Sequence, residues 1–424
     1  MPAPLPAVCL RAERCAEYLL RTNEPVIHST LDAAIFGAFI DTRTVMKRTH
    51  FTLLLLGAMF AAAPALAENP VRIGVTTTLT GPDAARGQTE QYGIELALER
   101  INEAGGVLGR PVEAFYGDNA SDPETGIKAV HRLIEQEHVS VMIGALLTAV
   151  THAIMPVAQE EKVPLVIEIS SLQDFVEASG VGGNPYVFKT IPSELDIARG
   201  MMGWLKRQGA KRVAIISDDA YFNNANSQSF SRAASELGVQ VVTSITVARG
   251  TTNFEPVLEQ LKEINPDHVV PILNASNAAF FQAYEKSGWK VPLTGRIDFS
   301  AVAKAVSPGF IAAGGLDNAA SVSMFSPAIE TTGVQDFVHA YESKYGLVPN
   351  QLPFYAYEAT YLIVDAIRRA GSDKPADIEA ALKTTRMPSL LGGTYAMDDH
   401  NHSHMPLQIT GLRNARPTVI GAGG

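Results

Sequence analysis

Cysteine is almost missing from this chain of 424 residues: there are two, Cys9 and Cys15. Both lie ahead of a segment that reads as a secretion signal, so the predicted mature protein has none. That excludes disulfides, thiolate catalysis and cysteine-ligated metal, and makes an oxidising compartment harmless. No apolar run reaches the roughly 20 residues that a membrane-spanning helix needs. No lysine follows a glycine, so the GxxxxGK[ST] phosphate loop is absent, and the glycine-rich turns lack the dinucleotide fingerprint. Neither a nucleophile elbow nor an ordered set of metal ligands can be found. Basic charge is scarce as well, with 34 Lys+Arg against 44 Asp+Glu and a net charge of −10. Residues 1–67 hold 6 of the basic and 5 of the acidic residues, which leaves −11 on the remainder. A polyanion is a poor partner for such a surface, and nucleic acid is excluded on that ground.

The residues that are present form a globular composition, 46% hydrophobic and 18% charged. A signal peptide is predicted over residues 46–67. It starts at Met46, takes its positive charge from Lys47 and Arg48, runs apolar from Phe51 to Ala63, and ends in the small-residue pattern Ala65-Leu66-Ala67. Cleavage there makes Glu68 the first mature residue, and residues 1–45 read as an upstream segment from a miscalled start codon, with Met46 the expected start. With no cysteine at the cleavage point there is no lipid attachment signal. The expected location is therefore the periplasm, in soluble form.

From Val71 onward, short β-rich runs alternate with amphipathic stretches of helical length, the pattern of βαβ units and a parallel sheet. Ile94, Leu98 and Ile101 fall on one face of the first helix, and Ile127, Val130 and Ile134 on one face of the second. A Gly/Pro-rich stretch, Gly180 to Pro185, interrupts the rhythm, which restarts at Arg212. The predicted fold is thus α/β, with two lobes of the same build and parallel sheets. The first lobe takes residues 68–190 and 319–388, the second 191–318 and 389–424.

Five segments in order resemble the type I periplasmic binding proteins of the leucine/isoleucine/valine-binding family. They are VRIGVTTTLTGP (71–82), YGIELALERINEAGGVLGR (92–110), YGDNASDPETGIKAVHRLI (116–134), IGALLTAVTHA (143–153) and RGTTNFEPVLEQLKEINPD (249–267). The likeness spans residues 70–412. It implies two Rossmann-like lobes joined by three crossings, with a ligand held in the cleft by strand ends and helix N-termini. It also implies a small amino-acid-like, aromatic acid or amide ligand, ABC permease and ATPase partners, a monomer, and neither cofactor nor enzymatic activity.

Candidate ligand residues follow from that resemblance. Thr148 matches the family's serine, or is a plain helix N-cap. In the next loop Ser171 takes the place of a threonine, Ile169 and Ser170 supply backbone, and Glu168 departs from the family by replacing a proline, unless it is simply a solvated loop acid. Arg86 is either a carboxylate clamp or a surface residue. Tyr221 stands where the family places an aromatic cover, and Asn274 ends a neighbouring strand. Asp298 is either a carboxylate for a ligand ammonium or an N-cap. His400, His402 and His404 alternate on a predicted extended strand, which puts them on one face as a metal site or a wet edge. Two competing functions remain: a sensor of the same fold feeding a regulatory partner, and a periplasmic hydrolase.

Overall fold

The structure is a computed structural model that describes residues 69–413 and 416–423. The predicted signal peptide and the Glu68 start lie outside the described residues. The first half alternates β1 (Val71–Thr77), α1 (Ala84–Glu103), β2 (Val112–Asp118), α2 (Pro123–Glu135), β3 (Val141–Gly144), α3 (Thr148–Glu161), β4 (Leu165–Ile167), α4 (Gln173–Glu177) and β5 (Val187–Lys189). Its five strands form one parallel sheet in the order β2-β1-β3-β4-β5. Because helices cover both faces, the central strands bury their apolar side chains completely: Val71, Ile73, Val75, Val141 and Ile143 are all fully buried.

The second series contains α5 (Glu194–Arg207), β6 (Arg212–Asp218), α6 (Tyr221–Leu237), β7 (Gln240–Val247), α7 (Glu255–Ile264), β8 (His268–Ile272), α8 (Asn277–Ser287) and β9 (Thr294–Gly295). Two short helices, α9 (Phe299–Ala305) and α10 (Pro308–Ala312), lead to β10 (Ala320–Ser323). Strands β7-β6-β8 form a parallel group, and a bridge between Val269 and Leu293 connects it to β9. The chain then leaves this sheet for α11 (Thr332–Tyr345), α12 (Gln351–Ala370) and α13 (Pro375–Lys383), followed by the hairpin of β11 (Arg386–Pro388) and β12 (Thr394–Ala396). It ends in β13 (Gln408–Arg413) and β14 (Arg416–Ala422), which extend the second sheet in the order β9-β10-β13-β14.

Helix α5 has no counterpart in the sequence reading. Its start is nonetheless encoded locally: Ser193 accepts from the Asp196 N–H, and the Asp196 carboxylate accepts from the Ser193 N–H, a reciprocal cap worth about 1 kcal/mol. Helix α12 lies across α1 at very short range. A Cβ added at Gly93 would stand 2.1 Å from the Pro353 carbonyl, so only glycine permits the approach. Beside that crossing Phe325, Phe337, Phe354 and Tyr357 pack ring on ring. Each buried aromatic of this kind contributes about 1.5–3 kcal/mol.

Strand pairing places the lobe boundaries later than the sequence suggests. Strand β10, read as first-lobe from residue 319, pairs with β9 and β13 in the second sheet. Residues 389–403, read as second-lobe, dock on the first. Ser389 Oγ, the Leu390 N–H and Tyr395 OH all donate to the buried Glu358 of α12, and Ser403 N donates to the Lys189 carbonyl beside β5. Burial pushes Glu358 up, and these three donors act against that shift. The chain therefore crosses at Thr190–Ser193, after Ser323, and near His404–Leu407.

Candidate functional site

Parallel strands of a doubly wound sheet collect ligands at their carboxyl ends, where helix N-termini leave donors unpaired. In the first sheet these ends are the loops after β1, β3 and β4. The loop after β1 is fixed by Asp118, whose carboxylate accepts from the N–H groups of Leu79 and Thr80 at 2.9 and 3.2 Å and from Thr80 Oγ1 at 2.6 Å. Arg86 lies beyond that loop on α1 and pairs with Asp83 at 3.0 Å, its side chain 51% exposed.

After β3, Thr148 is the first residue of α3. The capping position belongs to Leu147, so Thr148 is not the N-cap, and its half-buried hydroxyl makes no hydrogen bond to any described residue. One turn on, Thr151 Oγ1 lies 2.9 Å from Ser170 Oγ, which also donates to the Ala145 carbonyl at 3.0 Å. This pin joins the loop after β3 to the loop after β4. Ile169 is partly buried against the core, and Ser170 is buried with its hydroxyl committed to the pin.

Glu168 is not a solvated loop acid. It is fully buried close to Glu90 of α1, also fully buried, and neither Glu168 oxygen finds a hydrogen-bond donor among the described residues. Thr77 Oγ1 donates to Glu90 at 2.6 Å. Burial raises both carboxyls, Glu90 to about 7 and Glu168 well above the ordinary range, the latter pushed further by Glu90 itself. Two like charges in one dry site cannot both ionise, so the pair shares at least one proton.

Ser171 leads to a constellation the sequence reading missed. Its Oγ donates to Glu194, the first residue of α5, whose side chain is fully buried at the first crossing. Arg296, just after β9 in the second lobe, donates through Nη1 to the same Glu194 oxygen and stands 3.4 Å from Ser171 Oγ. Its guanidinium lies 5.7 Å from the Phe222 ring centroid. The turn that carries it is held by Ile297 N–H donating to Ser321 Oγ at 2.9 Å. The other Glu194 oxygen, Oε2, is buried with no partner among the described residues. A signal for Glu194 existed in the Ser193-Glu194-Leu195-Asp196 capping box; Arg296 had only its place after a strand-ending glycine.

The other second-lobe candidates stand at strand ends too. Tyr221 opens α6 and is 65% exposed. Asn274 is exposed after β8, its N–H donating to Asp218 at 3.2 Å. The Asp298 carboxylate accepts from Ala301 N–H at 3.1 Å and so caps the first turn of α9. The three histidines do not share a face. Asn401 has φ 54°, which breaks the alternation. His400 meets the Ser179 carbonyl, His402 is buried against the Ile191 carbonyl, and His404 is exposed between Asp196 and Asp398.

The model of the family described as periplasmic binding protein matches residues 70–415. Leu/Ile/Val-binding protein homolog 7 of Brucella abortus (strain 2308) is 25% identical over 376 residues, covering 84% of this chain and 91% of that one. Two solved structures share the fold. A solute-binding protein of an ABC transporter from R. palustris, in complex with benzoate, has TM-score 0.70 at 19% identity, covering 84% of this chain and 97% of that one. The branched-chain amino acid transporter substrate-binding protein LivJ from Streptococcus pneumoniae, in complex with isoleucine, has TM-score 0.71 at 22% identity, covering 83% and 100%. Matched over most of its length and built on two α/β sheets, the chain belongs to the periplasmic binding protein family.

Proposed function

We propose that this chain is the solute-binding component of an ABC importer, secreted through its signal peptide, and that it carries a small carboxylate-bearing solute such as an amino acid or an aromatic acid to permease and ATPase subunits. The observation that carries the ligand class is Arg296 meeting Ser171 and Glu194 across the strand ends of the two sheets. Arg296 engages that acid through Nη1 alone, which leaves other guanidinium N–H groups to donate to a second carboxylate in its planar fork. Thr148 adds an uncommitted hydroxyl at the start of α3, next to backbone N–H groups that favour an anion. Phe222 and Tyr221 supply aromatic surface for the solute's apolar part. Isoleucine and benzoate, carried by the two structural neighbours, both fit this description.

Calorimetry and thermal shift on the purified secreted protein test this reading, with a panel of amino acids, benzoates and simple amides. A carboxylate that binds while its primary amide does not is the expected result. Binding confined to the amides would overturn the ligand class.

A further inference from the structure

The first and third crossings bring together three side chains that the solute site does not use. Asp196 stands on the first turn of α5. His402 and His404 belong to the segment that runs beside β5, where Lys189 N–H donates to the Asn401 carbonyl and Ser403 N–H to the Lys189 carbonyl. His402 Nε2 lies 3.8 Å from Asp196 Oδ2, and His404 Nδ1 lies 3.7 Å from the same oxygen. The two imidazole rings are 4.6 Å apart, centroid to centroid.

We infer that Asp196, His402 and His404 form a binding site for a divalent first-row transition metal of borderline softness, Zn2+ or Co2+, which ties the first crossing to the third. The donor set is two imidazoles and one carboxylate, which suits these ions better than Mg2+ or Ca2+. Tetrahedral coordination at about 2.0–2.2 Å places donor atoms about 3.3 Å apart, so the observed 3.7 and 3.8 Å need only sub-ångström contraction.

The orientation of His404 is the second observation. Its Nε2 donates to Asp398 Oδ2 at 3.0 Å, which turns Nδ1 toward Asp196. A carboxylate holding the far nitrogen of a ligating histidine is the usual outer-shell arrangement of a zinc site. Asp398 is itself fixed, accepting from the backbone N–H groups of His400 and His402 at 2.9 Å each. When Nε2 of His402 coordinates, it gives up its bond to the Ile191 carbonyl, which keeps the Lys189 Nζ donor at 2.5 Å. Access runs through a cavity of about 280 Å³ lined by Asp196, His404, Met405 and Pro406.

The test is Co2+ titration of the chelator-stripped secreted protein, read by visible ligand-field absorption and by calorimetry with Zn2+. One equivalent should bind, and His404→Ala, a change at an exposed side chain, should abolish it while leaving circular dichroism unchanged. Asp398→Asn should weaken it about 10–100-fold. His131→Ala removes the other histidine-carboxylate group, His131 with Glu135 and Glu161, and should change nothing. No saturable binding, binding that survives His404→Ala, or binding lost in His131→Ala would each overturn the site.

Discussion

Arg296 and Glu194 form an ion pair between the end of a second-lobe strand and the start of the helix after the first crossing. The carboxylate is fully buried, while the guanidinium side chain is 27% exposed. Each is the other's only ion-pair partner within 4 Å among the described residues. The cation that the proposed function offers to the solute is thus already held in place by a buried acid.

Removing the arginine should cost affinity first. Arg296→Met is expected to weaken solute binding about tenfold or more, since bonds to charged groups contribute about 1.5–3 kcal/mol. A double-mutant cycle with Glu194→Gln, followed by denaturation without solute, should show a coupling of about 1–3 kcal/mol. Additive effects would mean that the pair contributes nothing in solution.

Thr148 and Ser171 should separate cleanly. Thr148→Ala breaks no bond to a described residue, so stability without solute should stay within about 0.5 kcal/mol while affinity falls about tenfold. Ser171→Ala takes a donor from the buried Glu194 and should cost about 1–3 kcal/mol of stability as well. Melting curves beside calorimetry read both quantities. If both variants bind like the parent, the solute is anchored elsewhere.

The buried acid pair sets a pH dependence. Because burial raises Glu90 and Glu168 above their unfolded value of 4.5, the folded chain binds more protons than the unfolded one above that pH. Their contribution is fully present below about 4.5 and is lost as pH rises through about 7. Glu168→Gln should flatten the stability profile between pH 5 and pH 8, units taken around those two values, and should match or exceed the parent at the alkaline end. A parent profile that rises over the same range would contradict the shared proton.

Secretion makes a prediction about mass. Intact mass spectrometry of material from the periplasmic fraction should give a chain that starts at Glu68. A chain that retains residues ahead of Met46 would refute both the signal and the proposed start.

The α/β class, the two βαβ series, and most strand and helix positions were legible in the sequence, since periods of two and of three to four, punctuated by glycine and proline, are local properties. Strand β7 and helix α13 fall at the residues expected. The order of the family motifs was legible for the same reason. What a side chain does depended on neighbours far along the chain. Glu168 looked like a loop acid until α1 brought Glu90 against it, 78 positions earlier in numbering. Asp298 and Thr148 were each open between cap and ligand group; the first helical turn gives Asp298 a bond to the Ala301 N–H and puts Leu147 rather than Thr148 in the capping position. The lobe boundaries shifted because β10 and the segment around residues 389–403 found hydrogen-bond partners that no local pattern specifies. Glu194 and Arg296 lie 102 residues apart, and only the meeting of two sheets at their strand ends places one charge on the other: sequence fixes the elements through short-range periodicity, and tertiary packing alone brings distant polar groups into a common, dry site.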